Sequence, residues 1–219
     1  MEILERKFIP ERIKRDYAKV AWIYDIWSLL TESKAEEKVL KFAEISRGEK
    51  VLDVAVGTGI LFKKIVLLNS EGFTEGIDIS PAMLRHAKRR LVGCKNTNFV
   101  LKEGSAYKLE YNDNYFDVVI NNYMLDLLPE EDFVKILREI YRVLKPAGRL
   151  VISSMAAGDN WNNKLWFKIS KYFPALMTNC RPISPEKHII DSGFVKVKSV
   201  YINQKTFPSE VIKAEKNKT

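Results

Sequence analysis

A short run and one downstream carboxylate carry the clearest chemical signal in this chain. Val51-Leu52-Asp53-Val54-Ala55-Val56-Gly57-Thr58-Gly59 is an apolar stretch tipped by small residues that opens into a helical pattern, and Asp78 closes Gly76-Ile77-Asp78-Ile79. Small residues at a strand-to-helix turn let backbone N–H groups approach a ligand, and a carboxylate ending the next strand can accept both hydroxyls of a ribose. The pattern is that of a nucleoside-cofactor site. A dinucleotide fingerprint wants G-x-G-x-x-G, but the triplet is Ala55-x-Gly57-x-Gly59 and Phe62 stands where the third glycine belongs. The phosphate reading weakens accordingly.

These residues need a sheet to hold them. From Pro10 to about Leu30, Ile13, Tyr17, Val20, Ile23 or Tyr24, and Trp27 recur at helical spacing. Ser33-Lys34-Ala35-Glu36 reads as a capping box opening a second helix that Gly48 terminates. Strand and helix signals then alternate as a parallel sheet requires: strands at 50–56, 73–79, 98–102, 116–121 and 149–154, with helices at 59–68, from Ser80-Pro81, and at 130–144. After the fifth strand comes an aromatic-rich helix opening at Asp159-Asn160-Trp161 and ending before Pro174, then a helix from Ser184 to Ser192 and two strand-like runs at 194–202 and 207–213. One domain spans 1–219: a helical lid over 10–46, a cofactor-binding core over 47–157, and an insertion helix with a C-terminal hairpin over 158–219.

Composition bounds the function. With 219 residues and 46% hydrophobic content the chain can bury one substantial core. No signal peptide or membrane-spanning run is evident, so a soluble cytoplasmic protein is expected. Cys94 and Cys180 form neither a disulfide framework nor a zinc motif, and His86 and His188 lie on expected helices as surface or packing residues. The +8 charge is dispersed and accompanied by 28 acidic residues, which leaves the partner open. Trp161, Leu165, Trp166, Phe167, Ile169, Tyr172 and Phe173 put apolar groups on more than one helix face, which suits a greasy acceptor, a peripheral contact with an anionic membrane, a dimer contact, or burial under the N-terminal helices.

The glycine turn and Asp78 resemble motifs I and II of the class I S-adenosylmethionine (SAM) methyltransferases, whose motif I is written D/E-x-G-x-G-x-G. Asp117-Val118-Val119-Ile120, Leu128-Pro129 and Arg142-Val143-Leu144-Lys145-Pro146 match later landmarks of that family. The style is similar to the branch of ubiquinone/menaquinone C-methyltransferases and phospholipid N-methyltransferases, partly through Tyr17 and Tyr24-Asp25. The resemblance covers roughly Tyr17 to the C-terminus. It implies an α/β fold with a Rossmann-like, seven-stranded, mostly parallel sheet, a C-terminal antiparallel hairpin, helices on both faces and a helical N-terminal extension. It also implies SAM as cofactor, S-adenosylhomocysteine (SAH) as product, and in-line methyl transfer to a small or lipophilic acceptor: a phospholipid amine, a quinol-type carbon, or a small amine or thiol.

The resemblance assigns roles residue by residue. Asp53 lies near the methionine end, Ala55, Gly57 and Gly59 form the turn along the cofactor, Asp78 holds the ribose, and Ile79 and Met83 pack on the adenine. Ala55 replaces the first glycine of the motif, a change the turn tolerates if its φ stays negative. Ser105 and Ala106 sit in the loop that family members write Gly-Asp-Ala, so a hydroxyl replaces the carboxylate that receives the adenine amino group. Asn121 offers its backbone to the methionine amino group. Tyr123 and Asp126 lie where acceptor-facing residues occur, Asp126 being either an acceptor-orienting acid or a cap of a short helix. Tyr17 and Tyr24 share a helix face that either shapes an acceptor pocket or packs in the core. Trp161 is placed on the acceptor side, and Arg181 meets an anionic head group or a carboxylate elsewhere in the chain. The quinone branch commonly carries Arg-Asn where this chain has Leu125-Asp126-Leu127, which counts against a quinol.

Two rival functions are distinguishable. An NAD(P)-dependent oxidoreductase shares the acid after strand two but departs at Phe62 and at the final hairpin. A non-catalytic scaffold of the same fold would follow if Ala55 and Ser105 disabled the pocket. No nucleic-acid partner is expected, because no basic, aromatic-interleaved module is present. Neither a metal nor a covalent nucleophile is required, and the chain is expected as a monomer or homodimer.

Overall fold

The computed structural model describes residues 28, 30–158, 160–172 and 180–218. Tyr17, Tyr24 and the helix expected around them lie outside the described residues, as does the stretch before and after Pro174. The elements run α1 (Ser33–Ala43), β1 (Lys50–Val54), α2 (Ile60–Leu68), β2 (Phe73–Asp78), α3 (Pro81–Arg90), β3 (Phe99–Glu103), β4 (Phe116–Asn122), α4 (Phe133–Val143), β5 (Leu144–Met155), α5 (Trp161–Tyr172), α6 (Glu186–Asp191), β6 (Val195–Gln204) and β7 (Phe207–Glu215). The sheet order is β3-β2-β1-β4-β5-β7-β6, with β1 to β5 parallel and β7 inserted antiparallel between β5 and β6. This is the seven-stranded plan expected from the sequence.

Side-chain alternation on the central strands builds two cores. Val51, Val118, Ile120, Val151 and Val211 face α1, α2 and α5. Leu52, Val54, Val119, Leu150 and Ile152 face α4 and α6 on the other side. α4 shows how a helix is drawn in: Phe133, Ile136, Leu137, Ile140 and Val143 recur at helical spacing and all are buried. Each such side chain contributes roughly 1.5–3 kcal/mol by leaving water, enough to dominate the helix's weak intrinsic stability.

Register sets the site. Asp53 lies beside Gly76 on one side and Ile120 on the other, so β1, β2 and β4 end together at one sheet edge. Chain order reverses between β1 and β4, which opens a crevice there, the place where open α/β sheets bind ligands. The later part of the loop after β3 is anchored at the opposite sheet edge by Arg142, whose guanidinium donates to the carbonyls of Leu109 and Tyr111 just before β4.

Two local expectations change. Ser33 and Glu36 form no capping box: Ser33 Oγ accepts from the Gln204 amide, and Glu36 is claimed by Ser28 and Lys64. The N–H groups of Glu32 and Glu36 are instead satisfied by the carbonyls of Ser28 and Glu32, and that of Lys34 by the side-chain oxygen of the distant Gln204 at 2.7 Å. The helix expected at 130–144 starts as a 3₁₀ turn, Glu130–Asp132, before α4 proper.

Candidate functional site

The glycine turn and Asp78 meet at the crevice. The Asp78 carboxylate accepts the Gly57 N–H through Oδ2 and the Ser80 N–H through Oδ1, both at 2.8 Å. One side chain thus ties the turn after β1 to the start of α3, and Ser80 caps α3 by accepting from Met83 N–H. Gly57 has φ +58° with open space where a side chain would begin, so its backbone is presented to a ligand. Gly59 serves packing instead: with φ +83°, a Cβ there would sit 2.8 Å from Ala87 of α3.

Ala55 does not keep the negative φ expected of it; it sits at φ +66°. The turn imposes that geometry, because the N–H groups of Ala55 and Val56 both donate to the Ile77 carbonyl. An L-residue with a methyl group is strained there by about 1–2 kcal/mol, partly offset by the entropy that glycine loses on folding. Ala55→Gly is therefore expected to raise stability by about 0.5–1 kcal/mol, read as a rise of a few degrees in melting temperature. An unchanged or lower melting point would show that the turn is not strained.

Beyond the turn lies an acidic recess lined by Ser28, Glu36, Asp53, Gly57 and Asn122. Asp53 is buried and its Oδ1 has no hydrogen-bond partner among the described residues. Burial, reinforced by the charges of Asp78 and Glu36, pushes its carboxyl up to about 8. Glu36 accepts from Ser28 Oγ at 3.3 Å and from Lys64 Nζ at 2.5 Å. Sequence reasoning missed Glu36 by spending it on a cap; its real partner is 28 residues away, with no local signal of the pairing.

On the other side of Gly57 a larger cleft encloses about 890 Å³, part of it open to solvent. One wall carries Ile79, Met83, Ser105 and Ala106, and the opposite wall carries Met124, Leu127 and Leu128. Ser105 Oγ accepts the Tyr107 N–H at 3.3 Å, while Tyr107 donates its hydroxyl to Asp132 at 2.7 Å. Burial and the Asp132 carboxylate raise the Tyr107 phenol well above its ordinary value, so it stays protonated as a hydrogen-bond donor. The pocket is apolar with a few oriented polar groups, the usual makeup of a small-molecule site.

Residues 45–200 match the family described as "Methyltransferase domain". The chain belongs to the class I SAM-dependent methyltransferases. It is similar to the demethylmenaquinone methyltransferase of Lactobacillus johnsonii, with 33% identity over 76% of this chain and 70% of that protein. The corresponding Listeria monocytogenes protein is 31% identical over 64% of this chain, and the match spans only 60% of its length. Among solved structures, the phosphoethanolamine N-methyltransferase 2 of Haemonchus contortus in complex with SAM superposes with a TM-score of 0.65 at 17% identity, covering 84% of this chain and 52% of that one. At that identity the likeness concerns the fold.

This methyltransferase brings Asp53, Ala55, Gly57, Asp78, Ile79, Met83, Ser105 and Ala106 to the crevice, while Gly59 stands behind it as packing. Asn121 ends β4 beside the crevice; its side-chain amide donates to the Val54 carbonyl at 2.9 Å, which does not bear on the backbone role expected of it, and its neighbour Asn122 lines both recesses. Tyr123 reaches the cleft wall, but its hydroxyl lies 2.5 Å from Ser209 Oγ and its ring packs by Phe207, with φ +49° directing it there. Burial holds its phenol far above the ordinary range.

Asp126 neither lines the cleft nor caps its short helix. Its Oδ2 accepts the Met155 N–H at 3.1 Å, tying β5 to the turn after β4. Burial raises its carboxyl to about 7 despite that hydrogen bond and the nearby Arg181 charge. Arg181 is itself buried, donating to the Leu128 carbonyl and lying over the Phe133 ring, with the Asp126 carboxyl within reach of its charge. Trp161 is 67% exposed and absent from the cleft wall. Met124, Leu127 and Leu128 occupy the acceptor-side wall where Asp126 is expected, because the 3₁₀ turn Leu125–Leu127 rotates Leu125 and Asp126 into the core. Among the described residues there is no cluster suited to a metal ion and no helix long and apolar enough to cross a membrane.

Proposed function

We propose that this chain transfers the methyl group of SAM to a lipophilic acceptor, with a quinol-type carbon favoured over a phospholipid amine. The observation that carries the methyl-donor half is the unpartnered, buried Asp53 oxygen in a recess shared with Glu36, one turn from a glycine cradle and Asp78. A low-dielectric pocket walled by carboxylates fits a ligand that carries cationic groups and no phosphate, as SAM does, and repels the anionic pyrophosphate of a dinucleotide. Phe62, buried against Phe99, fills the place where a dinucleotide turn needs glycine.

In this reading Asp78 accepts the ribose hydroxyls, Ile79, Met83 and Ala106 enclose the adenine beside Ser105, and Asp53 with Glu36 receives the amino-acid ammonium. When bound, SAM supplies an electrophilic methyl on a sulfonium. The protein's part is to aim that methyl at the acceptor and exclude water, and Met124, Leu127 and Leu128 supply an apolar wall for doing so. Asp126, buried against β5, fixes the backbone of that wall. The single-domain division, with 10–46 as a lid, belongs to the same proposal.

The acceptor half rests on that apolar wall and on the quinone-methylating relatives, which weigh more here than the missing Arg-Asn pair at Leu125-Asp126-Leu127. Methyl transfer from labelled SAM to a demethylated naphthoquinol, phosphatidylethanolamine and phosphoethanolamine tests it. Product from the quinol alone is expected; product from an amine alone would reassign the acceptor. Failure to bind SAM or SAH in calorimetry by folded, nucleoside-free protein would leave a non-catalytic scaffold.

A further inference from the structure

α5 is apolar on two faces: Trp166 and Ile169 pack inward on the sheet, and a second stripe faces out. At about 100° per residue, Trp161, Leu165 and Tyr172 fall within roughly 40° of one another on the helix surface. All three face water, at 67%, 41% and 69% exposure. Lys164, Lys168 and Lys171 are exposed along the flank of the same stripe, and α5 contains no acidic residue. The inward side is unusually polar. Asn162, Asn163 and Ser170 are buried there beside Trp166 and Ile169. Asn163 donates to the Ala156 carbonyl and accepts from the Tyr201 hydroxyl, so the polar side chain pins the helix to β5 and β6.

A helix that folded only to cover the sheet would bury Trp161, Leu165 and Tyr172 along with Trp166 and Ile169, and would expose its asparagines. We infer that the outward face of α5 docks on an anionic lipid surface. Tryptophan and tyrosine favour the depth of lipid head groups, and a short basic amphipathic helix lies in the plane of the interface. The lysines decide the occupant. A two-fold contact through this face would set each copy's lysines against the other's with no carboxylate in the helix to meet them, whereas acidic head groups neutralise them. The Asn163–Ala156 bond holds α5 at the carboxyl end of β5, the sheet edge on which the cofactor crevice opens. Docking thus brings the crevice edge to the membrane, and it stands whichever acceptor is methylated.

Cosedimentation of the full chain with vesicles tests the inference, using phosphatidylcholine alone and phosphatidylcholine with about one quarter phosphatidylglycerol. Binding to the anionic vesicles at least about tenfold tighter than to neutral ones is expected, weakening as salt is raised. Leu165→Ser with Tyr172→Ser, and separately Lys164→Glu with Lys168→Glu, should each lower vesicle binding about tenfold or more while the melting temperature stays put. These residues are exposed, so the variants retain the fold. Equal binding to neutral and anionic vesicles, or undiminished binding by both double variants, would overturn the inference. So would a native dimer, measured by light scattering, that Leu165→Ser with Tyr172→Ser converts to monomer, for the face would then belong to a second copy.

Discussion

Asp78→Ala is expected to weaken SAM binding at least about 100-fold in calorimetry while leaving the fold intact. Two effects combine. Hydrogen bonds to a charged acceptor are worth about 1.5–3 kcal/mol each, and the proposed ribose contacts would remove two. The same carboxylate anchors Gly57 N–H and Ser80 N–H, so its loss also frees the turn that cradles the ligand. Asp78→Asn separates the two: one amide oxygen remains for the backbone, the charge is gone, and an intermediate loss is expected. The fold should survive because Asp78 sits at the end of β2, outside the three apolar clusters. Unchanged affinity in Asp78→Ala would remove the ribose assignment and with it the central claim about this crevice.

How far this was readable in advance depends on how local each signal is. The strands were legible because each rests on a contiguous pattern: β1 and β4 are near-continuous apolar runs, and turn residues such as Asn112-Asp113-Asn114 mark the breaks; the antiparallel ending came only with the family resemblance. The glycine turn and Asp78 were legible for the same reason, since a strand, a turn and a strand end suffice to define them. What failed depended on direction in space. Asp126 stands at the expected sequence distance from β4, but one 3₁₀ turn points it into the core, and Tyr123 keeps the cleft wall while a left-handed backbone turns its hydroxyl to Ser209. Neither rotation has a sequence signature. Ala55 failed oppositely: alanine argues against a left-handed backbone, and the paired N–H bonds to Ile77 impose it anyway. Glu36 required knowing that α1 and α2 meet at Lys64, a tertiary fact.

Asp53 offers the sharpest test of the acidic recess, because its chemistry predicts a proton. With the carboxyl held near 8 by burial and by Asp78 and Glu36, the ligand-free protein carries Asp53 largely protonated at pH 7. Pairing with a ligand ammonium favours the carboxylate, so SAM binding should release close to one proton at pH 7, measured as a dependence of the calorimetric heat on buffer ionisation enthalpy. Asp53→Asn should abolish the release and weaken SAM about tenfold to 100-fold, the cost of losing one buried charge-assisted contact. Stability supplies an independent reading with a definite sign. The folded pKa is raised above the unfolded value of 3.8, so the folded state holds the extra proton between pH 4 and 8. Stability from this group is complete below pH 4, falls as pH rises through that window and levels off above 8. Asp53→Asn has no such proton to lose, so its melting temperature should gain on the native protein steadily from pH 5 to 8. A variant that tracks the native protein across that range, and binds SAM with the same proton release, would place the titrating group elsewhere and leave the recess without its assigned ligand.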